Sequence, residues 1–101
     1  MAYNVVIEEE AVKDIDAIMN YISVQLSNPS AAKNLYLEIT RTIEDIKSLP
    51  YGFPICRIKQ LSAKEIRQVP AKNFTIFYVV SDEKIIILYV KYSRSDFEKL
   101  K

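Results

Sequence analysis

The sequence predicts an α+β fold: an N-terminal strand, an α-helical hairpin, then a three- to four-stranded antiparallel sheet and a short C-terminal helix. Three observations carry this. Residues 65–92 form three runs rich in β-branched and aromatic types, separated by two short turns. Residues 8–49 place apolar side chains at three- and four-residue spacing, broken once at Ser27-Asn28-Pro29. The connections are short, so consecutive elements must be neighbours. A chain of 101 residues holds one domain with one core, here spanning 1–101.

Tyr3-Asn4-Val5-Val6-Ile7 is a short apolar strand, expected to pair into the sheet. Glu8, Glu9 and Glu10 open a helix whose apolar positions are Ala11, Ile15, Ile18, Met19, Ile22 and Leu26; carboxylates there complement the helix dipole, and capping is their expected role. Asn28 is placed to cap the next helix and Pro29 suits its first turn. That helix carries Ala32, Leu35, Tyr36, Ile39, Ile43, Ile46 and Leu49 and stops at Pro50. Two helices joined so tightly form an antiparallel hairpin, and their stripes need the sheet as a common apolar surface. Tyr21 and Tyr36 are expected in the core.

Tyr51-Gly52-Phe53-Pro54 is a loop, with Tyr51 and Phe53 expected to close the core beneath it. Residues 55–58 are expected as a further strand and residues 60–64 as a turn. The sheet proper is then read as strands 65–69, 74–80 and 84–92. With Val69 opposite Phe74 and Val80 opposite Ile85, one face holds Arg67, Phe74, Ile76, Tyr78, Ile85, Ile87, Tyr89 and Lys91. The other holds Ile66, Gln68, Thr75, Phe77, Val79, Ile86, Leu88, Val90 and Tyr92. Both faces are apolar in the middle and turn polar at the end carrying Arg67, Gln68, Thr75, Lys91 and Tyr92. Ser95 and Glu98 have capping-box spacing, so residues 96–101 are expected to form the terminal helical turns.

Composition removes several chemistries. There is no histidine, which excludes a histidine general base and the usual zinc sites, and the single Cys56 cannot form an internal disulfide or a cysteine metal cluster. Gly52 is the one glycine, so phosphate-binding glycine loops are absent. No cofactor and no metal is expected. No apolar run is long enough to cross a bilayer and the N-terminus has no signal pattern, so the chain is expected to be cytoplasmic, without a membrane partner. Residues 1–50 carry eight acidic and four basic side chains, a balance of −4, whereas residues 57–94 carry eight basic and three acidic, a balance of +5. The basic sheet half permits contact with phosphates or an acidic partner; a solvated lysine rim is the plainer reading.

The order and spacing of these residues resemble the RelE/ParE toxin superfamily of bacterial toxin–antitoxin modules, the plasmid-stabilisation type. The resemblance rests on Ala11, Asp14, Ile15, Ile18, Tyr21 and Ile22; on Asn28, Pro29 and Ala32; on Leu49, Pro50 and Pro54. It continues through Ile66, Arg67, Asn73, Phe74, Ile76, Phe77 and Tyr78 to the segment from Ile85 to Phe97. It implies an antitoxin partner whose flexible segment folds on the toxin. It also implies one of two activities: cleavage of mRNA in the ribosome, or inhibition of DNA gyrase by binding.

RNA cleavage needs a base for the 2′-hydroxyl, cations for the transition-state phosphate and an acid for the leaving oxygen. The basic residues of the nuclease branch fall here on Ile66, Gln68 and Thr75, none of them cationic. Arg67 lies on the opposite face and resembles the gyrase-inhibiting branch, where it reads as structural, paired with Glu65 or a helix carboxylate. Under the nuclease reading Tyr92, Arg94 and Lys91 are the catalytic candidates; the plainer reading packs Tyr92 against the terminal helix and solvates the two cations. Arg67 and Gln68 are the other functional or structural candidates. A gyrase-binding toxin ranks ahead of a ribosome-dependent endoribonuclease, with an inactive partner-binding module as the third reading.

Overall fold

The computed structural model describes residues 3–94. In chain order it contains β1 (Asn4–Ile7), α1 (Glu9–Asn20) prolonged by a π-helical turn (Tyr21–Gln25), and α2 (Pro29–Ser48). A one-turn α3 (Lys59–Ser62), β2 (Arg67–Ala71), β3 (Phe74–Ser81) and β4 (Lys84–Tyr92) follow. The strands form a four-stranded sheet in the order β1-β4-β3-β2. Strands β2, β3 and β4 are antiparallel, as their short turns require; β1 lies parallel to β4, which the long connection between them allows. The expected terminal helix over 96–101 lies outside the described residues.

The hairpin forms as its sequence dictates. Asn28 Oδ1 accepts from Ala31 N–H at 3.1 Å, with Pro29 in the first turn of α2. The glutamates act differently from expectation: Glu8 occupies the cap position of α1 without a side-chain cap bond, and only the first-turn charges of Glu9 and Glu10 complement the dipole. Both helices lie on one sheet face. Their Ala11, Leu35, Ile39 and Ile46 close over Val69, Ala71, Ile76, Tyr78, Ile85, Ile87 and Val90. A smaller core on the opposite face joins Cys56, Leu61, Ile66 and Phe77.

Several local expectations are corrected. The first hairpin strand is Arg67–Ala71, not 65–69, because Pro70 needs no ladder N–H on the sheet's edge strand and need not end it. The turn shrinks to Lys72-Asn73, and Val69 pairs with Ile76 rather than Phe74. A β-bulge then interrupts the β3–β4 ladder: Tyr78 pairs with Ile87 but Phe77 with Tyr89, leaving Leu88 as the extra residue. Beyond it the faces exchange. Val90 and Tyr92 join Ile76 and Phe74 toward the helices, while Tyr89 and Lys91 move to the face of Phe77 and Thr75. Residues 55–58 contribute only an isolated bridge, Ile55 with Arg67, and α3 occupies most of the expected turn at 60–64.

Candidate functional site

The polar end foreseen from alternation is divided into three places. Arg67 and Gln68 pair with Tyr78 and Phe77, partway along β3, whereas Lys91 and Tyr92 pair with Thr75 and Phe74 at its start. The two-residue change of register causes the separation.

Arg67 secures the 50–54 loop. Its Nη1 donates to Phe53 O at 2.6 Å, and its guanidinium lies over the Tyr51 ring with 5.2 Å to the centroid. The partners among the described residues are thus main-chain carbonyls and a ring, not the carboxylate expected. Tyr51 stays exposed beneath the guanidinium, and Phe53 is half-buried against the main core. Next to them the Tyr78 hydroxyl donates to Pro50 O at 2.7 Å. Burial pushes the Tyr78 phenol up from 10.0 to about 12, against the lowering effect of Arg67. The Gln68 side chain is half-buried, and its main-chain N–H donates to Pro54 O at 3.1 Å, binding the same loop to β2.

Lys91 is engaged elsewhere. Strand β1 ends at Ile7, opposite Ile87, so β4 runs on with a bare edge. Asp14 of α1 covers it: Oδ2 accepts from Val90 N–H at 3.1 Å and Oδ1 meets Lys91 Nζ at 2.9 Å. This carboxylate is a role that sequence reading left unassigned. Its partners are 76 and 77 positions away, and only its place in the superfamily pattern singled it out.

The third place is the end of the hairpins. An apolar groove of about 560 Å³ lies between the last turns of α1 and the sheet, lined by Ala17, Ile18, Tyr21, Ile22, Leu26 and Phe74, with Tyr92 and Asn73 at its rim. Tyr21 is 56% exposed and Leu26 54%, correcting the expectation of core positions: periodicity selects their side of the helix, but the sheet does not extend beneath them. Tyr36 is likewise exposed on α2. Tyr92 meets Phe74 edge-on, with ring centroids 5.8 Å apart. On the far side of Tyr92 a second, polar cleft gathers Lys72, Asn73, Ser93 and Arg94. The geometry therefore brings Tyr92 and Arg94 together and leaves Lys91, Arg67 and Gln68 apart from them. Among the described residues no cluster of acidic or cysteine side chains is suited to a metal ion, and no helix is long and apolar enough to cross a membrane.

The chain is thus an α+β domain with a helical hairpin on one face of a β1-β4-β3-β2 sheet and a groove open at its end. A solved structure described as a chromosomal ParDE toxin–antitoxin system from P. aeruginosa shares this fold with a TM-score of 0.72 at 18% identity, over 90% of this chain and 96% of that one. The family model described as the ParE toxin of the type II toxin–antitoxin system parDE matches residues 5–97, so the chain belongs to the ParE toxin family. No curated protein sequence matches it.

Proposed function

We propose that this ParE-family toxin acts in the cytoplasm by binding DNA gyrase and inhibiting it, and that a cognate antitoxin holds it inactive. The observation carrying the binding reading is the state of the candidate cations. At the positions where the resemblance to the nuclease branch implies positive charge this chain has Ile66, Gln68 and Thr75, and Lys91 Nζ lies 2.9 Å from the Asp14 carboxylate. Missing preplaced charge at a developing phosphate costs a few kcal/mol per group, on the order of a hundredfold or more in rate. The apolar groove beside Tyr21, Ile22, Leu26 and Phe74 suits an antitoxin segment that folds into an amphipathic helix on contact. The similar structure described as a ParDE system is consistent with such a partner.

The test is expression of the chain in a bacterial host, alone and together with a candidate antitoxin, sought as the product of a reading frame adjoining its gene. Growth arrest with a DNA-damage response, relieved by the second protein, is the expected result. Arrest with fragmented mRNA and no damage response refutes the gyrase reading; growth without arrest favours a partner-binding module.

One observation favours RNA cleavage as the second reading: Tyr92, Ser93 and Arg94 share a cleft with Lys72. On that reading Arg94→Ala and Tyr92→Phe impair cutting whereas Lys33→Ala does not, and equal cutting by all three removes the cleft from the chemistry.

A further inference from the structure

The polar cleft has a built floor. Its volume is about 300 Å³, and its lining residues are Lys72, Asn73, Tyr92, Ser93 and Arg94, with no carboxylate among them. Ser93 N–H donates to Asn73 O at 2.8 Å, and the Ser93 hydroxyl shares a 2.9 Å hydrogen bond with that of Thr75, which is buried. Pairing of Phe74 with Tyr92 fixes the spacing between the β2–β3 turn and the end of β4, and hence between Lys72 and Arg94. Neither cation has an ion-pair partner among the described residues. Asp14, a carboxylate near this end of the sheet, is spent on Lys91 and Val90. Lys72 is also held at φ 55°, a conformation that an unbranched cationic side chain rarely adopts and asparagine tolerates far better.

Two exposed cations beside an amide and a hydroxyl match a phosphate diester: guanidinium and ammonium take the charge, and neutral donors fill the remaining oxygen positions. The Tyr92 ring, 45% exposed and steadied edge-on by Phe74, borders the same cleft. An exposed aromatic ring beside a phosphate site is the combination that holds unpaired bases. The cleft holds neither carboxylate nor histidine, and its cations and exposed ring suit the holding of a strand.

We infer that this cleft binds the backbone of single-stranded nucleic acid, with Lys72 and Arg94 on one phosphate, Asn73 and Ser93 beside it, and Tyr92 stacked on the adjoining base. This deepens the gyrase-binding reading on which it rests, because it gives a toxin aimed at a DNA-handling enzyme a contact with the strand as well as with the protein.

The test is fluorescence anisotropy of the purified chain with labelled oligothymidylate and oligouridylate of equal length, with gyrase supercoiling measured in parallel. Salt-dependent binding is expected, weakened roughly tenfold by Arg94→Ala and by Lys72→Asn, and roughly tenfold or more by Tyr92→Ala. Lys72→Asn suits the turn, so a loss there is not a folding failure, and Lys33→Ala on the hairpin leaves affinity unchanged. A preference for either oligonucleotide identifies the source of the phosphate and supports the inference. Displacement of a bound anionic dye by inorganic phosphate, with no oligonucleotide binding, overturns it, as does binding that all the cleft variants retain. Gyrase inhibition without oligonucleotide binding overturns the cleft and leaves the target reading intact. Cleft-dependent binding with untouched gyrase does the reverse.

Discussion

The Tyr78 hydroxyl offers a prediction whose size follows from its surroundings. Tyr78 is fully buried and donates at 2.7 Å to the carbonyl of Pro50, itself buried at the start of the loop that Arg67 also holds. Tyr78→Phe keeps the ring and removes the donor, so the Pro50 carbonyl loses this bond in a place water reaches poorly. The expected cost is about 1–3 kcal/mol at neutral pH. The same group sets an alkaline limit. Its phenol titrates at about 12 in the folded chain, against 10.0 for an unperturbed tyrosine. Above pH 10 the unfolded chain releases this proton while the folded chain keeps it, so the folded state binds more protons and stability falls as pH rises. That contribution is fully present below pH 10 and lost between pH 10 and 12. A two-unit difference corresponds to about 2.7 kcal/mol. Urea unfolding of both chains at steps from pH 8 to 12 isolates it, because lysines titrate alike in each. The wild-type advantage is expected to be constant up to pH 10 and to shrink to nearly nothing by about pH 12. A difference that does not change with pH refutes the assignment of the raised pKa to this buried phenol.

Three further outcomes are expected. Asp14→Ala strips both partners from the bare edge of β4 and costs about 1–3 kcal/mol, with faster exchange of the Val90 amide; an unchanged urea midpoint contradicts the role given to that carboxylate. Lys72→Asn relieves the left-handed backbone strain and raises stability by about 0.5–1 kcal/mol, read as a higher melting temperature. Arg67→Lys loses the bond to Phe53 and the contact with Tyr51, costing about 1–2 kcal/mol, and the Gly52 amide becomes more labile.

Much of this architecture is written locally. Asn28-Pro29 marks the start of α2, Pro50 lies just past its end, and the stripe Ala32, Leu35, Ile39, Ile46 lies on the buried side of that helix, all of which follow from short-range chemistry. Other features are not local. The bulge at Leu88 carries no glycine or other mark in its strand, yet it reverses the face of every residue after it. Pro70 reads as a stop until β2 is known to be an edge. Helical periodicity put Tyr21 and Leu26 on an apolar stripe but carries no information on where the sheet beneath them ends. The site suffered most, because it depends on register. Tyr92 and Arg94 proved to be neighbours of Lys72, which local reading left as a turn residue. Lys91 went to Asp14 through a contact between distant segments.

The central claim is that the chain poisons gyrase by binding and cuts nothing. The most direct measurement incubates the purified protein with gyrase and supercoiled plasmid, and separately with translating ribosomes. Gyrase–DNA complexes trapped in the first mixture, with intact mRNA in the second, are the predicted result. RNA cut at ribosome-occupied codons, with gyrase fully active, contradicts the account.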